Sequence, residues 1–433
     1  MTHMVDRRAH LLSQRSPAPK LRDCGCLHPR PTRSFVTHTF ISPSLCNSFR
    51  SCVEGDDVIN LSFRKIHDFT KSADNCNPST YLDIETMIAD PPFKKVTPNP
   101  KPLVDLGSFL KGPPASLNED QLSVTAQLIV DVRCHLGECA LWDDRTQEIL
   151  FVSILDKTFH KLSVRADNPN AQLETHLLPK MVGAFGLLED PPEPGAYLVG
   201  WEDGFQLYNL EKNHPLSEMS TGESVNPLGL PDRLNDGRTD PTGKRFICGG
   251  CAGNGGHLKV YKCEYDPDKK RLEHEPIVEF IQTTNSICWS HGGRTMYLAN
   301  SPEKTIDQYG YNASTGSVSN KRLFHRKRTG FPDGSCVDAQ GYVWNATWRE
   351  GEGTAMVDRI DPKTGEVVFT VHLPDNTSEA SCCCFGGPDL NILFITTAWE
   401  HLDPSKEDHA GGLYAVKLPS GMFGLQEKRF ITM

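Results

Sequence analysis

Residues 332–348 read PDGSCVDAQGYVWNATW. An apolar stretch runs into an Asp-Ala-Gln-Gly turn, and a second apolar stretch alternates back out. Alternation on both sides of a tight turn predicts a β-hairpin. The same design appears at 136–154 (LGECALWDDRTQEILFVSI), 183–201 (GAFGLLEDPPEPGAYLVGW) and 233–249 (RLNDGRTDPTGKRFICG). It appears again at 284–300 (TNSICWSHGGRTMYLAN) and 381–399 (SCCCFGGPDLNILFITTAW). Corresponding positions fall near 138, 186, 235, 285, 333 and 383, in steps of about fifty residues.

Each unit carries further strand candidates, such as HLKVYKCEYD (257–266), MVDRIDPKTGEVVFTVHL (356–373) and GGLYAVKLP (411–419). That supplies about four strands per repeat, the signature of a propeller blade. Solenoid repeats are shorter, or helical at this length, and no amphipathic helix longer than two turns is apparent after residue 120. The expected fold is all-β: a six-bladed β-propeller over 119–433 preceded by a disordered or irregular extension over 1–118. Ring closure is expected to pair QLIVDV (127–132) with the last blade, leaving no long open sheet edge.

The extension has its own composition. Residues 1–50 hold seven Arg and one Lys against two Asp, with many Ser, His and Pro. Such a bias resembles a transit peptide as well as a disordered tail. Residues 90–117 are Pro-rich and read as an extended linker. The expected location is cytoplasmic, or organellar if the first segment is a targeting signal.

The net charge of −10 and a pI near 5.9 exclude a general nucleic-acid binder. No window approaches the ~18 consecutive apolar residues of a membrane helix. Fifteen cysteines are too sparse for a disulfide scaffold, and many lie in apolar runs, so reduced thiols are expected. Sequons occur at Asn312, Asn345 and Asn376, with Asn345 inside a predicted strand.

In a propeller, the innermost strands line a central channel, and equivalent positions converge. Glu138, Asn235, Asn285 and Asp333 are in phase with the repeat, so four oxygen-bearing side chains are expected at one channel mouth. Two carboxylates and a carboxamide form a hard-oxygen set suited to Ca2+, Mg2+ or Mn2+. Without a cation, two carboxylates this close repel, and one stays protonated.

The runs GECALWDD, RLNDGRTDPTGKRF, SPEKTIDQYGYNASTGSVSNKRLF, FPDGSCVDAQGYVWNATW, TSEASCCCFGG and AGGLYAVKL resemble the senescence-marker/gluconolactonase/regucalcin family. The resemblance spans about residues 130–430 in continuous order. It implies a six-bladed propeller, one divalent cation (Ca2+, Zn2+, Mn2+ or Mg2+) and hydrolysis of a small-molecule sugar lactone. By motif, it implies Glu138, Asn285 and Asp333 as metal ligands and Asp333 as general base. Arg233 and Asn235, in the Arg-x-Asn-Asp-Gly run, would bind substrate. The alternatives are a non-enzymatic calcium-binding regulatory protein, or the same fold acting on a different ester. Animal members of the family carry a Glu after the second strand of the Arg-x-Asn blade; here that stretch reads CGGCAGNGGH.

Other features read as packing. Cys248 and Cys251 form an isolated C-x-x-C, and Cys382, Cys383 and Cys384 alternate faces of a strand. Trp344 is a core candidate and Trp348 a candidate for the channel rim. His135 lies three residues before Glu138.

Overall fold

The computed structural model describes residues 100–432 apart from 119–121, 166, 169–170, 254, 350–354, 375–376 and 404–405. The compositional reading of residues 1–99 and the Asn376 sequon lie outside the described residues. Six antiparallel sheets make six blades, whose innermost strands are Gly137–Asp143, Val182–Leu187, Arg233–Thr239, Thr284–Trp289, Phe331–Val337 and Ala380–Gly386. The expected propeller is the observed fold.

An antiparallel sheet usually buries one face and wets the other. Here each blade packs between two others, so both faces are covered. The inner strand Gly137–Asp143 is buried at all seven positions, and so is Ala380–Gly386. Apolar clusters fill the gaps between blades. Phe159 of blade one meets Phe185 of blade two edge to face at 5.5 Å. Trp344 of blade five meets Phe385 of blade six at 5.5 Å and 87°. Such pairs add about 0.5–1.5 kcal/mol beyond their buried area.

The ring closes as expected. Gln127–Val130 pairs antiparallel with Leu413–Lys417 and becomes the outer strand of blade six. The chain just before it, Ser123–Thr125, adds in parallel to Val367–His372 of blade five. One short N-terminal segment thus staples two blades.

The stretch read as an extended linker contains a helix, Leu106–Lys111. Asp105 caps it, accepting from the backbone N–H groups of Gly107 and Ser108. Leu106 is buried, and Phe109 and Leu110 pack on the same cluster as Ile129 and Leu413. The Lys417 ammonium bonds the carbonyls of Leu110 and Gly112. The flanking prolines dominate the composition, but Asp105 and three apolar residues between them suffice for a docked turn and a half.

The hairpin turns gather at one end of the blades, and buried aspartates organise them. Asp338 accepts from the backbone N–H of Gln340 and Tyr342, from Trp344 Nε1 and from Arg359 Nε. Gly341 sits there at φ +90°, a conformation that favours glycine. Across this end runs the C-terminal segment, which the sequence reading did not single out. Phe423 O accepts from Ala339 N, and Arg429 bridges Asp143 and Asp144. Phe430 pairs with Leu188 of blade two, and Ile431 N donates to Gly243 O of blade three.

Phe430 is fully buried within the cluster between blades one and two. Phe430→Ala is expected to lower stability by about 3–5 kcal/mol, as large-to-small core changes do. Equilibrium denaturation in urea checks this; a loss below 1 kcal/mol would mean the strap is not structural.

Candidate functional site

All six inner strands break register near their start, the end opposite the hairpins. The breaks lie between Glu138 and Leu141, Val182 and Ala184, Leu234 and Gly237, Asn285 and Cys288, Pro332 and Ser335, and Ala380 and Cys382. A bulge frees residues from the ladder and re-aims their side chains. Two non-glycine residues next to these positions, Cys139 (φ 51°) and Ser286 (φ 61°), hold left-handed backbone. Such conformations cost about 1–3 kcal/mol each and persist where the surroundings enforce them.

The four in-phase residues of blades one, three, four and five meet as expected. Glu138, Asn235, Asn285 and Asp333 are buried and line one cavity together with Arg233. Its volume is about 230 Å³. The phase fails for blades two and six. Their register breaks fall at 182–184 and 380–382, not at 186 and 383. At the break, blade two offers Gly183, where a Cβ would lie 2.3 Å from Leu234 O. Blade six offers Ser381, whose hydroxyl donates to Gly137 O. Cys383 instead packs between blades, 3.7 Å from Cys336 Sγ.

Hydrogen bonds fix the orientation of both asparagine amides, of Arg233 and of the Asp333 backbone. Asn235 Nδ2 donates to Thr284 O at 2.8 Å and to Asn285 Oδ1 at 3.1 Å. Arg233 Nη1 donates to Leu234 O and to Asn235 Oδ1. Asn285 Nδ2 donates to Ser301 Oγ, which donates to Pro332 O. Asn285 therefore turns Oδ1 toward the cavity side. Beneath Asp333, its carbonyl accepts from Ser286 Oγ at 2.7 Å and from Asn345 Nδ2 at 2.9 Å. The same Asn345 amide lies 2.9 Å from Ser286 Oγ and Ser335 Oγ. Asn345 is fully buried, so this sequon is a positioning element of the core.

The electrostatics are strained. Burial pushes the Glu138 carboxyl up to about 8, and the Asp236 charge adds to it. Burial, then the charges of Glu138 and Asp236, push Asp333 well above the carboxylate range. Asp333 Oδ1 is buried with no hydrogen-bond partner among the described residues. A buried, unsatisfied carboxylate oxygen beside a second buried carboxylate and an amide oxygen suits a hard divalent cation. Glu138, Asp333 and Asn285 could hold it. Among the described residues, no group of three or more His, Cys, Asp or Glu forms a metal cluster, so this set depends on the asparagine.

Sequence reasoning missed two acids here. Asp236 shares the bulge with Asn235, and its Oδ2 accepts from Ile287 N at 2.8 Å. The adjacent Asn-Asp-Gly run was its signal. Glu400 lines the cavity from beyond the last strand of its hairpin and had none. Trp348 lines the cavity, Trp344 lies in the core, and His135 stacks on Trp399 at 4.0 Å. Of the C-x-x-C, Cys248 is buried, whereas Cys251 reaches the cavity. The ten described cysteines are all free thiols.

Comparison with known proteins agrees with this architecture. Residues 136–399 match the family described as SMP-30/gluconolactonase/LRE-like region. Regucalcin of Xenopus laevis is 28% identical over 309 residues, covering 68% of this chain and 94% of that protein. YvrE of Bacillus subtilis, provisionally named a sugar lactone lactonase, is 27% identical over 306 residues, covering 68% and 96%. Among solved structures, a luciferin-regenerating enzyme superposes with a TM-score of 0.59 at 25% identity, over 71% of this chain and 99% of that one. No helix among the described residues is long and apolar enough to cross a membrane.

Two expectations follow from the raised Glu138 carboxyl. Its folded value of about 8 exceeds its ordinary 4.5, so the neutral form is favoured in the fold. Its contribution to stability is fully present below pH ~4.5 and is lost as pH rises through about 8. The thermal midpoint of chelator-treated protein is therefore expected to fall over that range. A divalent cation should reverse the trend and release on the order of one proton on binding at pH 7, as calorimetry in buffers of differing ionisation enthalpy would register. A midpoint that is flat with pH and unmoved by cations contradicts this electrostatic account.

Proposed function

The chain belongs to the SMP-30/gluconolactonase/LRE-like family, and we propose that it is a divalent-cation-dependent hydrolase that opens sugar lactones. The observation that carries this reading is the convergence of Glu138, Asn285 and Asp333 with Arg233 and Asn235 in one cavity. Both carboxylates there are buried with raised proton affinity.

In this reading Glu138, Asn285 and Asp333 hold the cation. When bound, it supplies Lewis-acid polarisation of an ester carbonyl, worth several kcal/mol. The chain's own residues do the rest. Asp333 takes the proton of the attacking water through the carboxylate oxygen that the cation leaves unused. General-base assistance of this kind contributes about 10²–10⁴-fold. The Ser286 and Asn345 donors fix the Asp333 backbone so that its carboxylate keeps one direction. Arg233 commits Nη1 to the protein, leaving Nε and Nη2 for substrate oxygens. Asn235 in turn orients Arg233. Phe331, Pro302 and Trp348 wall the cavity and limit water around the reacting ester.

A second reading keeps the cation and removes the turnover: a calcium-binding regulatory protein, consistent with the regucalcin names of the relatives. One experiment separates the two. With a pH-indicator assay on glucono-δ-lactone, chelation should abolish hydrolysis, and titration with Ca2+, Zn2+, Mn2+ or Mg2+ should restore it. Asp333→Asn should reduce kcat by about 10²-fold or more while the protein stays folded by circular dichroism. Wild-type activity in that variant would sink the role of Asp333. Tight Ca2+ binding without turnover on any lactone of a broad panel would establish the regulatory reading instead.

A further inference from the structure

Resting on the lactonase reading, we propose that Glu400 recognises the hydroxyl groups of the substrate, so that the cavity selects neutral polyhydroxylated lactones over phosphorylated or carboxylated ones. Glu400 follows the second strand of blade six, Ile392–Thr397, and lines the same cavity as Glu138 and Arg233. Its backbone is pinned on the N-terminal side. Trp399 stacks on His135 with ring centroids 4.0 Å apart and 4° between planes. The Trp399 indole N–H donates to Arg133 O at 3.1 Å, and its backbone N–H donates to His135 O at 3.2 Å. The carboxylate therefore emerges from a held position rather than a swinging loop.

The carboxylate is uncommitted. Its ion-pair partner among the described residues is His401, 3.7 Å away and 74% exposed, and no Lys or Arg lies within ion-pair distance. An ionised carboxylate accepts only, with about four lone-pair sites, so its complement is a donor. Among the described residues the exposed His401 is its one ion-pair partner, and a polyol ring entering the cavity brings several donors. Charge-assisted hydrogen bonds of this kind are roughly twice as strong as neutral ones. The apolar lining residues Leu136, Phe331 and Trp348 suit the C–H face of such a ring.

Charge argues against an anionic substrate. The ionisable lining comprises the acids Glu138, Asp333 and Glu400 against one cation, Arg233. A bound divalent cation cancels that excess and leaves no net positive charge for a phosphate or a second carboxylate. At the end of blade three's second strand the lining residue is Cys251, an uncharged thiol 3.7 Å from Thr283 Oγ1. Glu400 is the lining acid that the cation set does not use.

The test has two arms. In the first, kcat/KM is measured for glucono-δ-lactone, δ-valerolactone and 6-phosphogluconolactone on wild-type protein, Glu400→Gln and Glu400→Ala. The expected result is a fall of about tenfold in the ratio of gluconolactone to valerolactone, carried by KM, and a narrowed preference over the phosphorylated lactone. An unchanged ratio overturns the proposal, as does a loss of cation affinity by calorimetry, which would make Glu400 a metal ligand. In the second arm, anhydroglucitol, a cyclic polyol without a carbonyl, is titrated calorimetrically against wild-type and Glu400→Ala. About tenfold weaker binding to the variant supports the proposal; equal binding, or none to wild-type, overturns it. This arm needs no turnover, so a wild-type protein inert on all lactones would refute the lactonase reading while Glu400 was still decided.

Discussion

Closure of the ring is the constraint on which the rest depends. Six blades radiate from one channel only if the first and last are fastened, and Gln127–Val130 does this by pairing with Leu413–Lys417. Without that pairing, blade six would present an open edge and the inner strands would have no reason to converge. With it, residues nearly two hundred apart in sequence, Glu138 and Asp333, are forced together. No single hairpin contains the site. The interblade clusters, from Phe159–Phe185 to Trp344–Phe385, hold the spacing that the pairing sets.

The two ends of the propeller spend this stability differently. At the hairpin end, buried aspartates satisfy turn amides, and the C-terminal strap ties blades one, two, three and five together. At the other end, every inner strand breaks its ladder, two non-glycine residues hold left-handed backbone, and carboxyls lie buried against their ionisation preference. Local strain of this kind clusters where chemistry is done, and a rigid frame elsewhere is what sustains it.

Much of this was legible in the sequence because a propeller repeats its own physics. Alternation, a turn and a period near fifty located six hairpins, and phase alone brought Glu138, Asn235, Asn285 and Asp333 to one cavity. What phase could not reveal was the bulge. A register break shifts a side chain by one or two residues, so the phase failed at Gly183, which has no side chain, and at Ser381, whose hydroxyl is spent on Gly137 O. Residues that act without repeating were equally silent. Phe430 lies in a final stretch with no blade pattern, and Glu400 in a loop that belongs to no hairpin. Leu106–Lys111 is a helix because Asp105 caps it, a local signal outweighed by surrounding prolines.

Asp236 and Arg238 show how the two ends communicate. Both leave the same inner strand below Asn235. Arg238 crosses the channel to donate to Ser335 O at 2.9 Å, two residues past Asp333 on the facing strand. On the other side its guanidinium meets Glu427 of the C-terminal strap at 3.5 Å. Its charge lowers the proton affinity of Asp236, opposing the burial that raises it. Asp236 in turn acts on Glu138 and Asp333 above. The channel is thus a column of charged groups: carboxylates at the cavity, Asp236 below them, then Arg238, then Glu427. Asp236 repels the carboxylates above it, whereas Arg238 attracts both Asp236 and Glu427. The strap therefore does more than pack: its Glu427 pairs with the arginine whose charge offsets the burial of Asp236.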